Sequence, residues 1–233
     1  MLSVVWALAS TLYASYLVQR NVLLSHSQEV NRVYASKLAS TTESLLEDMG
    51  RRLAYSAKQL SKMEQHPELI DQETLRQKEQ SNHFNAVLVV SNKGRILDIE
   101  PPNPSVPRGH IIQSDASNQP LTVQKPLLSV VFQSKSTKDW IILYSYPIFS
   151  TDNRYLGYTG GTLRLHAENV LDTLLGSHEY RDGSELYVFS QEDVLLFHPN
   201  RELIGTTLAD KPVLQVVQRR GSGTLRFREE SGA

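Results

Sequence analysis

Two hydrophobic periods divide this chain. From Val30 onward, apolar residues fall at Val30, Tyr34, Leu38, Leu45, Met49, Leu53, Ala57, Leu60 and Met63, in steps of three, four or seven. That spacing is one face of a helix. No proline occurs before Pro67, so one long helix is predicted over the first sixty-odd residues. Its opening stretch, Leu2–Val18, carries no charge. Its 17 residues would rise ~26 Å, just short of a ~30 Å hydrocarbon core. A transmembrane anchor is expected over residues 1–20, although Ser3, Ser10, Thr11 and Ser15 dilute it. A signal peptide and a buried soluble helix are the alternatives. No Lys or Arg precedes the run, and a few native residues are expected upstream of Met1.

Residues 21–80 read as a stalk or spine helix followed by a short polar helix, Pro67–Gln80. Pairing with a second helix and packing on a sheet both predict the apolar stripe. Gly50 lies within it, at a cost of ~1 kcal/mol against alanine, and marks either a bend or a close contact.

At Phe84 the period changes. Asn85–Val90 and Arg95–Ile99 are strand-like runs joined by Asn92-Lys93-Gly94, which suits a tight hairpin. Pro101–Pro107 is proline-rich, and the irregular stretch through Pro120 reads as a loop covering a ligand. Strands are predicted again at Leu127–Phe132, Trp140–Phe149 and Leu156–His166. Trp140–Phe149 is apolar on both faces, as a central covered strand would be. Gly157, Gly160 and Gly161 in its partner suggest a bulge or a close approach. Ala167–Leu175 is a short helix. The pattern then restarts with Glu185–Ser190 and Val194–His198. A helix capped by Asp210, with Val213, Leu214, Val216 and Val217 buried, follows, and then a strand from Thr224. The fold class is therefore α+β: a long N-terminal helix backs two PAS-like antiparallel-sheet domains, residues 81–176 and 177–233, the second cut short.

Composition narrows the function. A net charge of -1, from 24 basic and 25 acidic residues, argues against nucleic acid as a partner. Without cysteine there is no thiolate nucleophile, disulfide or cysteine-bound metal. The seven histidines show no metal-ligand spacing, and neither a phosphate loop nor a nucleophile elbow occurs. No cofactor, metal or catalytic residue is expected in this chain.

The ordered motifs resemble those of the double Cache family, extracytoplasmic sensor regions of bacterial transmembrane receptors. They are VLVVSNKGRIL (Val87–Leu97), Pro147-Ile148, Gly157 and LYVFSQEDVLLFHPNRELIGTTLADKPVLQVVQRRGSGTL (Leu186–Leu225). The resemblance implies a membrane-distal domain that binds a small molecule, a membrane-proximal domain behind it, and a periplasmic location at the inner membrane. It also implies a cytoplasmic output, most similar to a diguanylate cyclase. A histidine kinase, a chemoreceptor or a stand-alone membrane-anchored binding protein are the alternatives. Amino-acid-binding relatives carry an Arg-x-Trp-Tyr motif in the covering loop and an Asp on the closing strand. Here the loop reads RGHIIQSDASNQP and the Asp position falls at Thr162, so that specificity is not carried over. A homodimer through the N-terminal helix is expected.

The candidate ligand-binding residues are Trp140, Tyr144 and Tyr146, with core packing as the alternative, and Arg108, His110 and Asp115, with a solvated loop as the alternative. Tyr158 and Thr162, followed by Arg164, share one face of the closing strand.

Overall fold

A computed structural model describes residues 2–80, 82–176, 186–190 and 192–207. The described residues fall into two units, 2–41 in one and 42–207 in the other. The expected capped helix and strand beyond residue 207 lie outside the described residues.

In the first unit, residues 2–41 are helical, the start of helix α1 (Leu2–Gln59). The expected membrane span is corrected: among the described residues no helix is long and apolar enough to cross a membrane. Hydroxyl residues dilute the run, and Ser10 and Thr11 turn their hydroxyls back onto the Ala7 carbonyl. Gln19 and Arg20 then end it.

The second unit opens with the remainder of α1. Its stripe is buried where predicted, at Met49, Leu53, Ala57, Leu60 and Met63. A 3-10 turn (Leu60–Lys62) and Pro67 separate it from α2 (Glu68–Glu79). A single antiparallel sheet follows. It contains β1 (Ala86–Ser91), β2 (Ile96–Glu100), β3 (Leu127–Leu128), β4 (Phe132–Gln133), β5 (Trp140–Phe149) and β6 (Tyr155–Arg164). The strand order is β2-β1-β6-β5-β3, with β4 also on β5. The predicted strand over 127–132 is thus two short pieces along β5.

Each face of the sheet has its own core. On one, Val89, Ile148 and Leu156 pack on Ala57, Leu60 and Met63. On the other, Leu88, Val90, Ile96, Ile99, Leu143 and Tyr158 cluster beneath Val106, Ile112 and Leu121. β5 is therefore covered on both faces, as its two-sided apolar pattern predicts. A bulge in β2 sorts its residues between the cores. Val89 pairs with Asp98 and Val90 with Ile96, so Leu97 is the extra residue. Leu97 packs on the helix-side core, and Ile96 and Ile99 join the opposite one.

The glycines of β6 act through space and conformation. Gly157 has φ +134 and lies on the Val90–Ser91 backbone, where a Cβ would collide with the Val90 carbonyl. Phe84 lies flat over Gly161 and fills the position a side chain would take.

The segment predicted as irregular through Pro120 contains a helix, α3 (Asp115–Val123). Its sequence, DASNQPLTV, hides it: Asp, Ser, Asn and Thr are indifferent helix formers, and Pro120 lies inside it. After β6 come α4 (Val170–Gly176) and a hairpin of β7 (Val188–Phe189) and β8 (Leu195–Phe197), both shorter than the predicted runs.

Candidate ligand-binding site

The cavity lies on the face of the sheet away from α1. Alternation along the strands builds its floor from Ala86 and Leu88 on β1, Ile96 and Ile99 on β2, and Ile141 and Leu143 on β5. The segment after β2 covers it with Asn103, Val106, His110, Ile112 and Gln113, and the start of α3 adds Ser114 and Ser117. The turn between β4 and β5 closes the rim with Ser134, Ser136, Thr137 and Asp139. The cavity's volume is about 110 Å³.

The covering segments are fastened to the sheet and to each other. Gly109 donates its N–H to the Ile96 carbonyl at 2.7 Å, and Ile96 donates to the His110 carbonyl at 2.9 Å. His110 Nε2 lies 3.3 Å from the Ser136 hydroxyl, and Lys135 Nζ donates to the Gln113 carbonyl at 3.2 Å. Tyr158 is fully buried at the floor and donates its hydroxyl to the Ser117 carbonyl of α3. Burial pushes its phenol well above the usual range. It therefore serves as a neutral donor already in use.

Charge at the rim comes from one pair. Arg164 Nε lies 3.0 Å from Asp139 Oδ2, and its terminal nitrogen donates to Oδ1 at 3.2 Å. This fork leaves the cavity neutral overall while setting a carboxylate and a guanidinium side by side. The rest is an apolar floor under a ring of hydroxyls and amides, an arrangement that holds a small ligand by shape and a few directed hydrogen bonds.

Of the residues proposed from the sequence, this cavity brings together His110, Tyr158 and Thr162, with Arg164 beside them. Thr162 sits between Ala86 of β1 and Leu143 of β5. The aromatic residues of β5 point the other way. Tyr146 packs on the core against α1, and the Tyr144 hydroxyl presses on Gly50. Trp140 lies against Gly205, whose φ is +88. The reason is parity: Ile141 and Leu143 face the cavity, so residues one step away cannot. Asp115 is an exposed first-turn residue of α3 outside the cavity lining. Arg108 turns away from the cavity to form ion pairs with Asp98 at 2.8 Å and Asp71 at 3.0 Å.

Sequence reasoning passed over Asp139 and the hydroxyl residues of the β4–β5 turn. The clustering of Ser134, Ser136 and Thr137 just before a two-faced strand was the available signal. Choosing the opposite parity of β5 would have led to Ile141 and Leu143.

The sequence from residue 17 to 233 matches the Cache domain family. The chain belongs to the Cache-domain family. Solved structures share its fold. An extracellular ligand binding receptor from Desulfohalobium retbaense aligns with a TM-score of 0.70 at 19% identity, over 82% of this chain and 35% of that one. The ligand-binding domain of the Pseudomonas aeruginosa amino acid chemoreceptor PctC, in complex with GABA, gives 0.58 at 23% identity, over 77% and 79%. That of the Pseudomonas fluorescens chemoreceptor CtaA, in complex with L-isoleucine, gives 0.63 at 16%, over 82% and 76%. This Cache domain thus spans about a third of the Desulfohalobium receptor's length. A comparison with curated proteins found no match.

Proposed function

We propose that this Cache domain is the periplasmic ligand-sensing region of a membrane signal receptor and that its ligand occupies the cavity over β1, β5 and β6. The observation that carries the reading is the division of labour across the sheet. One face packs on α1 and the turn after it, and the other borders a small cavity beneath a loop and a short helix. A cavity of about 150 Å³ holds benzene, so 110 Å³ suits a ligand on the order of five heavy atoms unless the cover moves. Asp139 and Arg164 neutralise one another, which favours a net-neutral molecule. A small zwitterion would find a partner for each of its charges. The neighbours in complex with GABA and L-isoleucine support this ligand class, although the covering loop lacks the family's Arg-x-Trp-Tyr motif.

The two PAS-like domains of the sequence reading remain part of the proposal, with the β7–β8 hairpin beginning the second. Exposed apolar residues along α1, among them Val22, Leu23, Val30 and Val33, support the homodimer reading. Sedimentation of the purified chain tests it. For the output we retain a diguanylate cyclase, with a chemoreceptor as the second reading, favoured by the likeness to PctC and CtaA. Cyclic di-GMP levels in cells producing the full receptor separate the two.

Thermal-shift screening of the purified chain against small zwitterions and neutral hydroxylated compounds tests the ligand reading. A stabilising compound should lose its effect in Asp139→Asn and Arg164→Gln. Stabilisation unchanged in both variants would contradict the site.

A further inference from the structure

Arg108 sits in the middle of the cavity's cover yet binds away from the cavity. Its guanidinium forms ion pairs with Asp98 of β2 at 2.8 Å and with Asp71 of α2 at 3.0 Å. Asp71 first, with Asp98 beside it, raises this guanidinium above its ordinary value. Asp98 is nearly inaccessible, with its side chain 5% exposed. It accepts hydrogen bonds from Arg108 and from the Thr74 hydroxyl of α2. Asp98 lies opposite Val89, on the face of the sheet that packs on the helices.

The seat of α2 is unusual. Ile70 packs on the helix-side core as a partly buried neighbour, while the buried residues of α2 are Glu73, Thr74 and Gln77. Polar bonds are a large part of its attachment. Thr74 binds Asp98 on the sheet side, and Glu73 accepts from the Ser56 hydroxyl of α1 at 2.6 Å. Arg76 braces Glu73 through its Nε at 2.8 Å and lies over the Tyr55 ring of α1 at 4.9 Å. A helix held by a few charge-assisted bonds responds to the loss of one of them more than a helix held by a large apolar face.

We propose that Arg108 is a positioning residue that couples the cavity cover to the spine helix, through Asp98 and Asp71 to α2 and through Glu73 and Ser56 to α1. If the cover shifts with Arg108 held, it pulls on α2. If Arg108 lets go, a buried carboxylate is left with one hydroxyl, a costly arrangement. Either way a change at the cover reaches α1 between Leu53 and Gln59. As a route for a signal this rests on the cavity being the ligand site, but the coupling itself is testable without any ligand.

The experiment is amide hydrogen exchange on the ligand-free full chain carrying Arg108→Gln. Exchange should accelerate, about tenfold for the most affected amides, in the cover (101–114), in α2 and in α1 over 53–59. The β5–β6 amides should keep their wild-type rates. Glu73→Gln should loosen α2 and the same stretch of α1 while leaving the cover unchanged. With Asp98→Asn already present, Arg108→Gln should add less in α2 and α1, because no buried carboxylate is stranded and only the exposed pair with Asp71 is lost. Acceleration confined to 101–114 would overturn the proposal. Uniform acceleration that includes β5–β6 would also overturn it, by reducing Arg108 to a general stabiliser. A normal Arg108→Gln response in a chain that binds no screened compound would leave the coupling standing and count against the ligand reading alone.

Discussion

The hydroxyl of Tyr158, buried at the floor of the cavity, donates to the Ser117 carbonyl of α3 at 3.0 Å. That bond joins the closing strand to the short helix above it, across 41 positions of sequence. Tyr155 repeats the connection with a 3.1 Å bond to the Pro120 carbonyl, and burial pushes its phenol up to about 12. Tyr158→Phe removes the donor and keeps the ring. It should cost about 0.5–1.5 kcal/mol in denaturant unfolding, with faster amide exchange in α3 and an intact sheet.

Phe84 covers Gly161 with its ring. Gly161→Ala forces a methyl group into that ring and should destabilise the fold by about 1–3 kcal/mol. Much of the loss should return in Gly161→Ala with Phe84→Leu, because the smaller side chain can step aside. Additive losses in the double variant would refute this account of the contact.

Gly50 of α1 sits beneath the Tyr144 hydroxyl, with no room for a Cβ. In the wild-type background Gly50→Ala therefore sets a clash against a gain in helix propensity. Tyr144→Phe removes the obstructing oxygen. In that background Gly50→Ala should turn stabilising, by up to about 1 kcal/mol, the propensity difference, as read from thermal or denaturant midpoints.

His83 gives the chain an acid sensitivity. Burial first, and then Arg52, hold its imidazole below its ordinary 6.5, while Asp48, 3.7 Å away, pulls the other way without prevailing. Lys78 and Glu168 line the same groove. The folded state thus binds this proton less readily than the unfolded chain. The unfolded chain takes up more protons as pH falls, so stability rises with pH and is lost as pH drops through 6.5. His83→Gln should flatten the stability profile between about pH 7.5 and 5 relative to wild type. An unchanged slope would show that His83 does not titrate in this way.

Most of the sheet was legible because its strands are long or bounded by turn residues. Trp140–Phe149 is a strand over the range predicted, and Gly94 takes the positive φ, +73, that its turn requires. The helical stripe was legible for the same reason, from Met49 to Met63. α3 was not, because a nine-residue helix with an internal proline is specified by what it packs on and not by its own propensity. The candidate site was half legible. His110, Tyr158 and Thr162 were found from strand alternation and loop position. Trp140, Tyr144 and Tyr146 drew attention as aromatic residues, but chemistry does not reveal which face of a doubly covered strand holds a cavity. Arg108 looked like a ligand contact because its partners, Asp71 and Asp98, come from distant segments.

The central claim is that the ligand enters the face of the sheet opposite α1. Titration calorimetry of the purified chain with the compound giving the largest thermal shift tests it most directly, comparing Thr162→Leu, which fills the cavity, with Tyr144→Phe on the other face. The account predicts at least about a tenfold loss of affinity, 1.4 kcal/mol, for Thr162→Leu and near wild-type binding for Tyr144→Phe. Full binding by a folded Thr162→Leu variant, with binding lost in Tyr144→Phe, would contradict it.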